Sequence, residues 1–151
     1  MLKLTLINED NWMEAASLSV KDSQRGFLAP AIGIIARGYV YRGCGAKVYA
    51  FEADGSIVGM ALVREFTEEP LGYDLQQFMI DGRYQGRGYG TAALEAILDE
   101  LRKEARYDRV EVCVKKEDEG AIRLYRKFGF EDSGFIDEDV PDSINMLCRL
   151  F

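Results

Sequence analysis

Histidine is absent from the chain, so a Ser-His-Asp or Cys-His triad and most zinc centres are excluded at the outset. Cysteine is nearly absent too. Cys44, Cys113 and Cys148 form an odd, widely spaced set that predicts neither a disulfide framework nor a metal site, and implies a reduced, cytoplasmic setting. No apolar run approaches the roughly 20 residues of a membrane span. The start, Met1-Leu2-Lys3-Leu4-Thr5, lacks the apolar core and small-residue cleavage site of a secretory signal. Basic charge is in deficit, with 19 Lys and Arg against 26 Asp and Glu and a net charge of −7. That balance argues against nucleic acid and for a cationic partner.

What is present describes a globular chain. Its 151 residues match the size of one domain covering 1–151, large enough to bury a core. Lys3 to Ile7 reads as a strand, and Asn8 to Asn11 offer caps for a helix from Trp12. Pro30 suits the opening of a second helix through about Tyr41. Lys47–Glu52 and Ser56–Arg64 flank Ala53-Asp54-Gly55, a hairpin signal. Ile57 to Val63 is almost continuously apolar, as a strand buried on both faces should be. Asp74–Asp81 and Val110–Val114 read as strands. Lys116–Phe128 is a helix with Ala121, Leu124, Tyr125 and Phe128 on one face, and Gly129 is placed to cap it. Phe130–Ile136 and Ser143–Leu150 close the chain as strands. The order predicts an α/β fold, a mixed sheet of about seven strands with about four helices.

The organising stretch is Phe78-Met79-Ile80-Asp81-Gly82-Arg83-Tyr84-Gln85-Gly86-Arg87-Gly88-Tyr89-Gly90-Thr91. A strand end runs into a glycine-rich crossing and then a helix, whose apolar face is Leu94, Ile97, Leu98 and Leu101. Unpaired N–H groups at a helix start, together with the helix dipole, favour an anion in front of them. Arg87 can add a charge-assisted contact. The stretch is neither a P-loop, since no Lys follows the glycines, nor a dinucleotide fingerprint, since its third glycine falls one place early.

What remains is Gln-x-x-Gly-x-Gly at Gln85, Gly88 and Gly90, which resembles the acyl-CoA pyrophosphate motif of the Gcn5-related N-acetyltransferases. Downstream, Asp118-Glu119-Gly120-Ala121-Ile122-Arg123-Leu124-Tyr125-Arg126-Lys127-Phe128-Gly129-Phe130 resembles the family's Asn-x-x-Ala-x-x-x-Tyr-x-x-x-Gly-Phe, with Asp118 in place of Asn. Within the family, Phe78–Asp81 with Arg83–Gly86 is most similar to the spermine/spermidine type. The resemblance implies acetyl transfer from acetyl-CoA, as co-substrate, to a primary amine such as a polyamine. It implies contacts to CoA from Phe78, Met79, Ile80, Gln85, Gly86, Arg87, Gly88, Tyr89, Gly90, Thr91 and Asp118, and an N–H near Ile80 that holds the oxyanion. It makes Tyr125 the acid that protonates the leaving thiolate, places the acceptor beside Asp74 and Gln76, and is compatible with a homodimer.

No base is assigned by this reading. Gln76 stands where some relatives carry a glutamate, and an amide cannot take a proton. Asp74, Glu65 and Glu52 are the candidates that could act through water. Two acidic clusters, Glu65/Glu68/Glu69/Asp74 and Glu131/Asp132/Asp137/Glu138/Asp139/Asp142, read either as solvated loops or as an anionic mouth for a polycation. Two alternatives stay open: a different amine (an amino acid, an aminoglycoside, a protein N-terminus or lysine), or a CoA-binding module without turnover.

Overall fold

The computed structural model describes residues 1–151. The sheet grows from the Asp54-Gly55 turn. Both residues have positive φ, 51° and 80°, the requirement of a primed two-residue turn whose twist matches the strands it joins. It pairs β2 (Lys47–Ala53) antiparallel with β3 (Ser56–Glu65). Around them stand β1 (Leu2–Leu6), β4 (Tyr73–Ile80), β5 (Arg109–Lys115), β6 (Glu131–Asp132) and β7 (Ser143–Arg149), in the order β1-β2-β3-β4-β5-β7-β6. Only β4 and β5 run parallel. Parallel neighbours need a crossover, supplied here by α3 (Tyr89–Glu104). The other helices are α1 (Trp12–Ala16), α2 (Ala31–Val40) and α4 (Glu119–Lys127). None is long and apolar enough to cross a membrane.

Two cores cover the two faces of the sheet. The larger holds Leu94, Ile97, Leu98 and Leu101 of α3 with Ile122 and Tyr125 of α4. The smaller holds Ala15, Leu18, Ala31 and Ile34 from α1, α2 and the chain between them. β3 feeds both, with Ala61 and Val63 in the first and Met60 and Leu62 in the second, which explains its unbroken apolar run.

Three details differ from expectation. Phe130–Ile136 is not a strand of that length. β6 is two residues paired only to Leu147 and Met146, after which Gly134 (φ 79°) and the side chains of Asp132 and Asp137 turn the chain. On α4 the buried pair is Ile122 and Tyr125, with Ala121, Leu124 and Phe128 half-buried. α3 begins at Tyr89, inside the glycine crossing rather than after it.

Gly129 (φ 91°) ends α4 in a Schellman motif. Its N–H donates to the Arg126 carbonyl, the Phe130 N–H donates to the Tyr125 carbonyl, and Phe130 is 1% exposed. A Cβ at Gly129 meets nothing within 4 Å, so its cost is backbone strain alone. We predict that Gly129→Ala destabilises by about 1–2 kcal/mol and lowers Tm by about 3–6 °C. Ala105 caps α3 at φ 51°, so Ala105→Gly should leave Tm unchanged or raise it. Thermal melts of the two variants check this opposition of sign.

Candidate active site

The site begins where the sheet divides. β4 and β5 pair only at Tyr73↔Val110 and Asp74↔Glu111. Beyond that point β4 stays on β3 and β5 stays on β7 along its whole length, so the two halves diverge. A β-bulge marks the divergence: Leu62 pairs with Gln77 but Val63 with Leu75, leaving Gln76 as the extra residue. The Asp81 N–H donates to the Val58 carbonyl at 2.8 Å. Alternation along an antiparallel ladder then makes Met79 and Gln77 the residues bonded to β3. The N–H and C=O groups of Phe78 and Ile80 point the other way, into the cleft that β5 has vacated.

That cleft is a cavity of about 440 Å³. One wall is Leu75–Ile80 and the other Val112–Lys115. Gln85, Gly86 and Gly90 close one end, and Asp118, Leu124 and Tyr125 of the α4 region border it.

The glycine crossing heads α3. Gly86 and Gly88 have φ of 78° and 83° with open space around a notional Cβ, so glycine is needed there for the left-handed backbone. The first intrahelical bond runs from the Ala92 N–H to the Gly88 carbonyl. No side chain caps this end, so the N–H groups of Tyr89, Gly90 and Thr91 find no acceptor in the chain. Arg87 makes no ion pair and lies 5.7 Å from the Tyr84 ring centre. Arg87, Gly88, Tyr89 and Thr91 lie outside the cavity lining itself.

Two side chains shape this corner. Asp81, 2% exposed, accepts hydrogen bonds at 2.9 Å from the Ser19 N–H, the Arg83 N–H and the Arg83 Nε. Burial by itself would raise its pKa; the bonds from Arg83 and from the Ser19 N–H outweigh that and hold it below the ordinary carboxylate value. Gln85 spends its amide on a reciprocal pair with Gln24 and on the Ile80 carbonyl at 2.9 Å. Its side chain therefore fixes the strand-to-loop corner rather than facing a ligand.

Tyr125 is 4% exposed and packed edge-on and tilted between Phe78 and Phe130, with ring centres 6.3 and 5.3 Å away. Its hydroxyl has no hydrogen-bond partner in the chain, yet it is not among the sealed polar atoms, so it opens onto the cavity. Burial, helped by the charge of Asp118, raises its pKa well above the ordinary phenol value. Asp118 caps α4 by accepting the Ala121 N–H at 3.2 Å, and burial raises its pKa as well. Gln76 lines the cavity with its Oε1 buried and unpaired.

Asp74 does not line the cavity. It is buried on the α2 face against Arg64 at 2.9 Å, and Arg64 in turn lies over the Tyr41 ring. Burial, the larger effect, raises the Asp74 pKa against the pull of Arg64. The other base candidates are also spent elsewhere: Glu65 on Arg106 and Tyr107, Glu52 on Lys3. Asp118 is the one carboxylate in the lining. Of the acidic clusters only the second approaches the cavity, through Val140 and Ser143. Sequence reasoning passed over Gln24, Lys115 and Cys113 in the lining, as well as Val20 and Leu28. The alternation of β5 was a usable signal for Cys113 and Lys115, whereas the irregular run 20–30 carried none.

A mixed sheet divided between β4 and β5, with a glycine-rich helix start beside the division, frames the site. Residues 7–130 match the family model described as acetyltransferase (GNAT) family, and the chain belongs to that family. It is 34% identical over 93 residues to the spermine/spermidine N(1)-acetyltransferase of Bacillus subtilis (strain 168), covering 56% of this chain and 59% of that protein. It is 29% identical over 83 residues to an L-amino acid N-acetyltransferase of Escherichia coli (strain K12), covering 54% and 51%. The chain thus matches between half and three-fifths of the length of these relatives. Among solved structures, spermidine N-acetyltransferase from Vibrio cholerae in complex with CoA and spermine superposes with a TM-score of 0.77 at 16% identity, covering 99% of this chain and 95% of that one. That likeness speaks for the fold.

The site geometry yields a stability prediction at Asp81. Its folded pKa is depressed, so its contribution is present above the ordinary carboxylate pKa of about 3.9 and is lost as pH falls through the lower folded value. Asp81→Asn should cost about 2 kcal/mol at pH 7, about 4–8 °C in Tm, and the gap to the parent should narrow as pH drops toward 3. Melting curves from pH 3 to 7 test both parts; a gap that stays constant contradicts the assignment.

Proposed function

We propose that this chain is an acetyl-CoA-dependent N-acetyltransferase acting on a primary amine. The observation that carries the reading is the cleft between β4 and β5, with free backbone N–H groups on its strand wall, a helix N-terminus without acceptors at one end and the Tyr125 hydroxyl on its border. Acetyl-CoA supplies a diphosphate and a thioester, and each finds a matching set of donors. The N–H groups of Tyr89, Gly90 and Thr91, with the positive end of α3 and Arg87, suit the diphosphate. The Phe78 and Ile80 N–H groups suit the thioester carbonyl and the oxyanion it becomes; removing one such donor typically costs on the order of 3 kcal/mol of barrier. Asp118 is spent on capping α4 and adds no attraction for phosphate, so the CoA contact expected there is not part of this reading.

The proton inventory is simple. The amine attacks as its free base, forming the amide C–N bond while the C–S bond breaks. Tyr125 holds a proton at the cavity wall for the departing thiolate, the amine's surplus proton leaves to solvent, and Tyr125 regains one from solvent, so the count closes. No cavity residue is free to act as a base.

For the acceptor, the relatives named for spermine and spermidine support a polyamine, and the acidic loop Asp137–Asp142 beside the rim suits a polycation. The relative named for L-amino acids supports a smaller acceptor, and this second reading is favoured by a lining that holds one carboxylate, already engaged. Assays of thiol release with acetyl-CoA against a panel of amines separate the two, and acetyl-CoA binding without release on any amine would reveal a module that has lost turnover.

Tyr125→Phe should lower kcat by about 10²–10⁴ while calorimetric affinity for acetyl-CoA and Tm stay near the parent values; unchanged kcat would remove the tyrosine from the mechanism. Because its pKa is raised, Tyr125 stays protonated throughout the range in which the amine titrates. The value of kcat/KM should therefore climb about tenfold per pH unit below the acceptor's pKa and show no falling limb before that climb ends. A bell centred near neutrality would mean that a base has been overlooked.

A further inference from the structure

A second cavity, of about 300 Å³, lies under the chain that links α1 to α2. It shares Val20, Leu28 and Met79 with the first, so the two adjoin across a common wall. Met79 stands between Phe78 and Ile80, the residues whose N–H groups face the cleft, and its side chain belongs to the core on the α1/α2 face. The second cavity therefore opens beside the reacting position but on the side of the sheet away from Tyr125, which belongs to the other core. An amine attacking the thioester from the side away from its leaving sulfur has this space for the rest of its body.

The chemistry of the lining is one-sided. Leu18, Leu28, Ala29, Ala31 and Met79 make it apolar, Arg25 is the only charged residue, and no carboxylate is present. A polycation would meet a guanidinium there and nothing to neutralise it. Arg25 bridges Asp22 at 3.1 Å, with Asp22 almost fully exposed. Exposed pairs of this kind are worth little, so the guanidinium is free to exchange that partner for a ligand carboxylate that it can hold by two parallel bonds. The volume sits at the small end of ligand sites, whose few polar groups fix orientation within an apolar lining.

Resting on the acetyltransferase reading, the geometry points to an acceptor that pairs its amine with an apolar side chain and a carboxylate, such as a free aliphatic amino acid, with Arg25 as the residue that selects it. The apolar side chain fills the second cavity, the carboxylate meets Arg25, and the amine faces the cleft across Met79.

Steady-state thiol release by the full chain with acetyl-CoA, comparing L-leucine, L-leucinamide and spermidine, tests this. Leucinamide keeps the body and the α-amine and lacks the charge; because amidation also lowers the α-amine pKa, both rates are referred to the concentration of free amine. The parent should use leucine with kcat/KM roughly ten- to a hundredfold above leucinamide, the range of a hydrogen-bonded charge pair. Arg25→Gln should erase that preference by raising the leucine KM with kcat and the acetyl-CoA KM little changed, and Arg25→Lys should restore part of it. Equal use of leucine and leucinamide, a preference that survives Arg25→Gln, or spermidine as the better acceptor would overturn the inference while leaving the acetyltransferase in place. Acetyl-CoA that stays intact with all three amines would overturn the inference, and intact across the wider amine panel it would overturn the acetyltransferase reading as well.

Discussion

The site depends on one constraint, the two-residue-pair length of the parallel ladder joining β4 to β5. Each half of the sheet is sealed on its far side, β4 by β3 and β5 by β7. The larger core runs beneath both halves and keeps them together, so the halves can part without the molecule coming apart. Buried backbone groups left unpaired cost about 1–3 kcal/mol each. An open stretch of strand edge of this kind is tolerated where water or a ligand completes it, and a ligand with an amide-rich arm and a thioester completes it well. The bulge at Gln76 is the local device that turns the strand at the point of parting.

The second element of the site is tied to the first. The strand carrying Phe78 and Ile80 ends at Asp81, whose buried carboxylate holds the Ser19 and Arg83 N–H groups. Gln85 reaches back to the Ile80 carbonyl and across to Gln24. The helix start that suits a diphosphate and the strand that suits a thioester are thus held at a fixed spacing by side chains that need touch no ligand. The same bonds anchor the 20–30 segment that covers the second cavity, so the two cavities share one scaffold.

How much of this was legible in the sequence follows from the range of the interactions. The glycine crossing, the Asp-Gly hairpin and the Gly129 cap are set by neighbours within a few residues, and their residue types announced them. Asp74, placed beside the acceptor by the family resemblance, could not be assigned a face from strand alternation. The extra residue at Gln76 shifts the phase, so Tyr73 and Leu75 share the face of Phe78 and Ile80 while Asp74 turns to Arg64 on the opposite face. A bulge of that kind leaves no mark in composition. Phe130–Ile136 looked like a strand from its apolar residues, but only Glu131 and Asp132 find a partner, and Phe135 and Ile136 end up exposed. Pairing across 61 residues, as between Gln24 and Gln85, is invisible without the fold.

A cavity with no histidine and one committed carboxylate has to manage protons by other means. On the function proposed above, transfer needs the amine deprotonated and Tyr125 protonated at the same moment. With an alkylamine of pKa about 10.4 and an unperturbed phenol at about 10, no pH would favour both forms together. Burial between Phe78 and Phe130, with the charge of Asp118 nearby, raises the tyrosine and opens a window between the two titrations. The packing that makes Tyr125 look like an ordinary core aromatic is the same packing that keeps its proton in place, so its structural role and the chemical role proposed for it have one physical cause.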